Sequence, residues 1–492
     1  MRYDSCVPTY HVENFGCRAT QADGAAIERQ FEMRGLEHAP AAQADLVLLN
    51  TCTVTASADQ DARAAIRRVR RQNPLAKIIV TGCYAQRAPE EIAALPGVAA
   101  VIGNSHKHQI AELALPIISS AWSSTTSNRY AQPEVALGAE GSGFVPLTSL
   151  TIEAEPALFV SDIFAHTELL AAPVFECGEQ AEHGRTRPNL KVQDGCDNRC
   201  SFCVIPSVRG QSRSLSLPRV IDEVNALVAA GYREIVLSGI NLGRWGLDLE
   251  SQLPASSFRK LNFESLLHTV LAETKIEKIR ISSVEPMDWS NELIALVASS
   301  PRIARHAHVP LQSGSDAVLR RMHRKYRPWH YREKIEKIRE AMPAAAIGAD
   351  VMVGFPGETD GEFESTRRFI AELPFTYLHV FTFSTRPGTP AAMMPDQVPV
   401  HIARERNKIL RDLASDKKLA FMRGFIGKTV DAITLGSPRE IKGVAASAGT
   451  ALTEALTDNY QKLFLKGHHA ANQWRMTQIE NVIDGAFLAS AA

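Results

Sequence analysis

The chain has 492 residues, 54 Lys and Arg against 54 Asp and Glu, 45% hydrophobic residues and eight cysteines. A chain of this length buries full cores without disulfide staples and suggests three domains of about 150 residues each. Its 22% charged residues, 26 scattered prolines and zero net charge exclude global disorder, collagen, a disulfide-dense secreted protein and nucleic-acid binding through bulk positive charge, leaving room for a local basic stripe.

The N-terminus, Met1 to Cys6, lacks a basic stretch followed by an apolar run. No window reaches the ~18 consecutive apolar residues of a membrane span, so a cytoplasmic protein with no membrane partner is expected. Residues 10–15 read as a strand, 22–34 as a helix closed by Gly35, 45–50 as a buried strand, 63–71 as a helix, 77–81 as a third strand and 89–95 as a helical turn. This alternation predicts an α/β domain with a parallel sheet over residues 8–109. Periodicity fades over 110–187, where a serine-rich run at 119–127 and a loop-like stretch at 138–143 predict a linker with a partly ordered insertion. Alternation resumes over 188–423, with candidate strands at 190–193, 234–238, 278–282, 306–309, 347–353 and 377–383. Six βα-type repeats predict a partial (β/α) barrel or an open doubly wound sheet. Residues 401–423 form one helix in which seven basic residues outnumber Glu405, Asp412 and Asp416. Strands at 429–434, 461–466 and 475–482 then predict a small C-terminal β-barrel over 424–488.

In a reducing compartment clustered cysteines bind metal or do chemistry. Cys196, Cys200 and Cys203 stand as Cys-x-x-x-Cys-x-Phe-Cys just after a predicted strand. Three thiolates within eight residues can hold three irons of a four-iron, four-sulfur cluster and leave the fourth iron open for reaction. A structural zinc site is the competing reading; it wants a fourth ligand, which Cys177 or His183 would supply.

Cys17, Cys52 and Cys83 lie 35 and 31 residues apart, too far for a local knuckle. Phe15-Gly16-Cys17, Asn50-Thr51-Cys52 and Gly82-Cys83 each open a loop at the carboxyl end of a predicted strand. Such ends converge on one crevice of a parallel sheet, so the three form a second candidate three-thiolate site. Cys6 and Cys177 have no such placement and read as structural or free thiols.

The Cys196–Cys203 spacing, with its aromatic before the last cysteine, resembles the radical S-adenosylmethionine superfamily. Outside 110–187 the chain resembles the methylthiotransferase family, built from an N-terminal three-cysteine domain, a central radical domain and a C-terminal TRAM domain. The likeness is carried by Asn50-Thr51-Cys52-Thr53-Val54-Thr55, Gln193-Asp194-Gly195-Cys196-Asp197-Asn198, Pro310-Leu311-Gln312-Ser313-Gly314-Ser315-Asp316 and Val353-Gly354-Phe355-Pro356-Gly357-Glu358-Thr359. Thr53-Val54-Thr55 and Leu237-Ser238-Gly239-Ile240-Asn241-Leu242-Gly243 resemble the branch acting on threonylcarbamoyladenosine beside the tRNA anticodon. Arg18-Ala19-Thr20 departs from the family's usual Lys-Val-Asn run, and Ser207 stands where an aromatic is common.

The resemblance implies two [4Fe-4S] clusters, one on Cys196, Cys200 and Cys203 and a sulfur-donating one on Cys17, Cys52 and Cys83. It implies that one S-adenosylmethionine methylates a sulfur at the auxiliary cluster. A second is cleaved at the radical cluster to drive insertion of a methylthio group at adenine carbon 2. That carbon has no acidic proton and no leaving group, so the cofactor supplies the chemistry and the protein supplies position. A tRNA carrying threonylcarbamoyladenosine and a reducing electron donor are the implied partners. Isopentenyladenosine tRNA and a ribosomal-protein residue are the competing substrates, and a zinc-stabilised RNA-binding protein without catalysis is the reading from another class. Gly239, Glu285, Gln312 and Arg324 are the candidate S-adenosylmethionine contacts. His306 and His308 read as structural or substrate-adjacent. Arginines at 63, 67, 68, 70 and 71, the basic run at 320–327 and the helix at 401–423 are candidate tRNA stripes, with Tyr460, Phe464 and Trp474 able to stack bases.

Overall fold

The computed structural model describes residues 7–127, 155–166, 186–250, 261–435 and 451–492; Cys6, Cys177, His183 and the loop at 138–143 lie outside the described residues. The chain divides into two units, Met1–Leu170 with Ser207–Arg209 and Ala171–Pro206 with Gly210–Ala492.

The first unit is built on a parallel sheet of β1 (Thr9–Asn14), β2 (Glu37–His38), β3 (Leu46–Thr51), β4 (Lys77–Gly82), β5 (Val98–Gly103) and β6 (Ala157–Phe159), in the order β2-β1-β3-β4-β5-β6. β3 is buried along its whole length, as a central strand covered on both faces must be. Its alternating residues feed two cores. Val47 and Leu49 join Ile66 and Val69 of the helix Ala56–Gln72, while Leu46 and Leu48 join Ile27 and Phe31 of the helix Arg18–Glu32. The strand order reverses between β1 and β3, which opens a crevice outside their carboxyl ends.

Within the 110–187 stretch, two described pieces are ordered and belong to the first unit. Residues Ile110–Ser127 form a helix, and β6 pairs with β5 to extend the sheet. Ile110, Ala111, Ala114 and Ile118 make an apolar stripe at helical spacing that packs into the second core, outweighing the serine-rich sequence that follows.

In the second unit β7 (Asn189–Lys191), β10 (Glu234–Ser238) and β11 (Lys278–Ile281) pair in parallel, as do β12 (His306–His308), β13 (Ala346–Val353) and β14 (Tyr377–Thr382). A parallel bridge between Ser283 and His308 joins the two triplets into a row of six strands. Among the described residues no pairing joins β14 back to β7, which makes this a partial barrel. The short antiparallel pair β8 (Gln193–Asp194) and β9 (Arg213–Ser214) clamps the base of the loop carrying Cys196, Cys200 and Cys203.

The helix Val400–Arg423 leads into a closed barrel of β15 (Thr429–Thr434), β16 (Leu452–Thr457), β17 (Lys462–Lys466), β18 (Trp474–Ile483) and β19 (Ala486–Ala491). β16 and β19 escape sequence patterning because Leu-Thr-Glu-Ala-Leu-Thr lacks a strict apolar alternation and Ala-Phe-Leu-Ala-Ser-Ala holds no β-branched residue. The turn after β16 packs on the amino-terminal end of the partial barrel. Arg280 donates to the carbonyls of Thr457 and Asp458, Asn459 donates to the Ala344 carbonyl, and the Tyr460 ring lies 4.7 Å from that of His306. The opposite, carboxyl end of the strands carries the three-cysteine loop. Among the described residues no helix is long and apolar enough to cross a membrane.

Candidate functional site

Cys17, Cys52 and Cys83 follow the carboxyl ends of β1, β3 and β4, three adjacent strands. Asn14 pairs with Asn50, and Asn50 with Thr81, so the strands end level. At ~4.8 Å between strands, the three loops open on one crevice. Two glycines make the turns. Gly16 has φ +108° and an added Cβ would sit 2.5 Å from Cys52 Cβ; Gly82 has φ +99° and its Cβ would sit 2.3 Å from the Thr51 carbonyl oxygen. Both demand a residue without a side chain.

Beneath the thiols, Asn50 Nδ2 donates to Asn14 Oδ1 at 2.9 Å and to the Thr20 carbonyl at 2.8 Å, and Lys107 Nζ meets buried Asp23 at 3.0 Å. Thr20 Oγ1 lies 3.6 Å from Cys17 Sγ, so the Arg18-Ala19-Thr20 departure falls on the wall of this pocket. Asn104 Nδ2 lies 3.6 Å from Cys83 Sγ. Burial, with Cys83 and Cys17 alongside, pushes the Cys52 thiol up to about 12. Any metal entering here displaces protons. Thr53 and Thr55 have local tasks. Thr53 donates to Asp59 at 2.6 Å and accepts from Arg87 at 2.9 Å, and Thr55 caps the helix Ala56–Gln72.

In the second unit the loop after β8 presents Cys196, Cys200 and Cys203. Its course is held by Cys196 N donating to the Gly210 carbonyl, Ser201 N to the Met322 carbonyl and Ser201 Oγ to the Arg321 carbonyl. Burial pushes the Cys203 thiol up to about 12 and raises Cys196 as well. Donors aim at the sulfurs: Arg324 Nη1 lies 3.2 Å from Cys200 Sγ, Asn241 Nδ2 3.7 Å from Cys196 Sγ and the Asn198 backbone N–H 3.4 Å from the same sulfur. Asn241 is placed by its own N–H donating to Gln193 Oε1 at 2.7 Å, and Gln193 also ties to Asp194, Gly195 and Ser212. Neither Asn241 nor Gln193 stood out singly in the sequence, although both fall in the motif stretches around the radical loop.

Glu285 and Arg324 form an ion pair at the cysteine loop, and both line an open cleft of about 340 Å³ together with Cys200, Asn198, Arg244 and Asp288. Gly239 and Gln312 do not line it. An added Cβ at Gly239 would meet Gln193 Oε1 at 2.9 Å, and Gln312, with φ +63°, exchanges backbone hydrogen bonds with Asp350 and Met352. Several residues of the basic stripes are held in ion pairs within the protein. Arg63 pairs with Glu91, Arg68 with Glu13, Arg321 with Glu362, Arg327 with Asp316 and Arg406 with Glu358 and Asp360. Of the barrel aromatics, Phe464 is buried, Trp474 lies under Lys278 and Tyr460 under Arg280.

A tetrahedral zinc with ~2.3 Å bonds holds sulfurs about 4 Å apart. Among the described residues, the only group of three ligating atoms all within 4.8 Å of one another is His308, Asp350 and His379, so neither cysteine triad is drawn in around one ion. Three free thiols with N–H donors and a buried guanidinium around them suit an anionic iron–sulfur cluster.

Two family models match: "Uncharacterized protein family UPF0004" over residues 9–103 and "Radical SAM superfamily" over residues 190–370. The threonylcarbamoyladenosine tRNA methylthiotransferase MtaB of Bacillus subtilis (strain 168) is 36% identical over 93% of this chain and 90% of its own length. A tRNA-2-methylthio-N(6)-dimethylallyladenosine synthase of Endomicrobium trichonymphae is 29% identical over 93% of each chain. Among solved structures, the radical S-adenosylmethionine methyltransferase TsrM of Kitasatospora setae aligns with TM-score 0.51 at 16% identity, covering 79% of this chain and 77% of that one, a likeness of fold. Iron–sulfur and S-adenosylmethionine chemistry come with the radical superfamily. Carrying both matched regions in order and aligned with the Bacillus protein over nine-tenths of each, the chain belongs to the radical S-adenosylmethionine methylthiotransferase family, on its MtaB-like branch.

Proposed function

We propose that this protein is a tRNA methylthiotransferase that places a methylthio group on carbon 2 of the adenine of threonylcarbamoyladenosine beside the anticodon. The observation that carries the substrate is 32–36% identity to threonylcarbamoyladenosine enzymes of five bacteria over 85–93% of this chain, against 29–31% to three dimethylallyladenosine ones. Cys196, Cys200 and Cys203 would hold one [4Fe-4S] cluster, and Cys17, Cys52 and Cys83 a second. With S-adenosylmethionine bound, these groups supply the radical and the methylthio unit.

The chain's own residues do the rest. Arg324 brings a buried positive charge to Cys200 Sγ and is itself held by Glu285 and by Tyr326, whose hydroxyl lies 3.2 Å from Arg324 Nε. The Glu285–Arg324 pair at the cleft offers one carboxylate and one guanidinium, complementary to the amino and carboxylate groups of an amino-acid ligand. Asn241 orients toward Cys196 from a backbone locked by Gln193. In the first unit, Gly16 and Gly82 hold the loops so that the three thiols share a crevice. A tRNA substrate and cysteines kept reduced to hold iron–sulfur clusters suit the cytoplasm, with a reducing protein as electron donor.

Nucleoside analysis of tRNA from a strain lacking its own methylthiotransferases and expressing this chain tests the reading. The methylthio form of threonylcarbamoyladenosine is expected, and a Cys200→Ala variant should yield none. Appearance of methylthio-isopentenyladenosine alone would reassign the substrate, and unmodified tRNA from an iron-loaded protein would overturn the reading.

A further inference from the structure

His308 on β12, Asp350 on β13 and His379 on β14 sit side by side across three parallel strands. Asp350 Oδ1 lies 3.3 Å from His308 Nε2 and 3.2 Å from His379 Nδ1. The face they share is the inner one of the partial barrel. On the other face β13 buries Ile347, Ala349 and Val351 completely, while Tyr377 and His379 stack toward His306 and His308.

An ordinary His–Asp–His hydrogen-bond chain would account for such a cluster if each ring nitrogen addressed the carboxylate. His308 does not. The residue is 8% exposed, and its Nε2, although 3.3 Å from Asp350 Oδ1, forms no well-aligned hydrogen bond. A buried imidazole nitrogen without a partner is costly, and evolved interiors seldom leave one. Its other nitrogen, Nδ1, lies 3.1 Å from Ser283 Oγ, the outer hydrogen bond by which metal-binding histidines are oriented, leaving the lone pair on Nε2. Contacts near 3 Å between ligand atoms are what adjacent positions around a first-row cation require, at bond lengths of about 2.1 Å. Two imidazoles and one carboxylate form a three-donor set that leaves positions open on the ion.

We propose that His308 Nε2, Asp350 Oδ1 and His379 Nδ1 form a binding site for one divalent first-row cation of the zinc or ferrous class, separate from both cysteine triads. His379, with its side chain 53% exposed, provides the route of entry, and the open positions of the ion face the interior of the barrel. The assignment does not depend on the identity of the modified nucleoside.

Zinc alone is the probe. Holoenzyme with its cysteines occupied by iron–sulfur clusters is freed of loosely bound metal by a chelating resin under anaerobic conditions, then dialysed against zinc. About one zinc per chain is expected in the wild type, with at least a tenfold loss of affinity in His379→Ala and in Asp350→Asn at unchanged iron content. His306→Ala, altered on the same strand but outside the donor set, should keep its zinc. Zinc should also raise the melting temperature of the wild type and leave that of His379→Ala unmoved, a readout that survives if the Asp350 variant folds poorly. No zinc retained by the wild type, or equal zinc in wild type and His379→Ala, overturns the assignment.

Discussion

Gly16 shows how much a single backbone position decides. Its φ of +108° and the 2.5 Å gap to Cys52 Cβ mean that Gly16→Ala meets both torsional strain and a clash with a buried cysteine. Strain of this kind costs about 1–3 kcal/mol and here falls wholly on the loop that carries Cys17. If each cysteine triad holds a four-iron cluster as proposed, the variant should lose about half of the iron bound by the wild type while S-adenosylmethionine cleavage persists. Iron analysis beside an S-adenosylmethionine cleavage assay separates the two; full iron content in Gly16→Ala would show that this turn does not shape the pocket. At this scale the sequence was legible where chemistry is local. A cysteine just past each predicted strand marks a crevice, because strand ends of a parallel sheet converge. The His308–Asp350–His379 group was not legible, since its members lie 42 and 29 residues apart on three strands, and only lateral pairing brings them together.

Among the elements, the helix Asp360–Glu372 is the one whose start is most fully specified. Thr359 and Glu362 cap each other's backbone N–H groups, and Arg321 reaches Glu362 from the Asp316–Arg321 helix at 2.7 Å. Burial raises the Glu362 carboxyl, but the Arg321 and Thr359 hydrogen bonds outweigh it and hold the group below its ordinary value of 4.5. A depressed carboxylate stabilises the fold fully above its unfolded value, and that contribution is lost as pH falls through the lower folded value. Glu362→Gln should therefore cost about 0.5–1 kcal/mol at neutral pH and much less under acid conditions. Denaturant titrations at both pH values check it, and an equal cost at each would remove the charge from the explanation. Thr359 closes a stretch that carries the family likeness, but its reciprocal cap with Glu362 is a finding of the structure. Elements went unread where composition and environment disagree: β16 and β19 are Ala- and Leu-containing segments that become strands because Ala455, Phe487 and Ala489 are needed inside a closed barrel. The Ile110–Ser127 helix hid behind its serines for the same reason, its apolar stripe occupying only the first turns.

Within the second unit, the C-terminal barrel is joined to the radical domain by buried charge. Arg280 is fully buried, pairs with Glu234 at 2.6 Å, and donates to the Thr457 and Asp458 carbonyls of the barrel. Lys278 meets Asp458 at 3.2 Å, and Arg187 approaches Glu234 at 3.7 Å. One guanidinium thus serves both the strand pair β10 and β11 and the turn after β16, tying the C-terminal barrel to the strands of the radical domain. Removing one partner of such a pair strands a buried charge at a cost of about 3–5 kcal/mol, whereas replacing both with apolar residues of similar size is often near neutral. Glu234→Ala should lower the melting temperature sharply and open the junction at Gly424–Gly427 to protease. Glu234→Leu combined with Arg280→Met should recover most of the thermal stability of the radical domain but not the protection of the junction, because the carbonyls of Thr457 and Asp458 have then lost their donor. Thermal melts read beside limited proteolysis separate the two contributions, and a double variant as protease-resistant as the wild type would mean that Tyr460, Asn459 and Lys278 hold the barrel without Arg280.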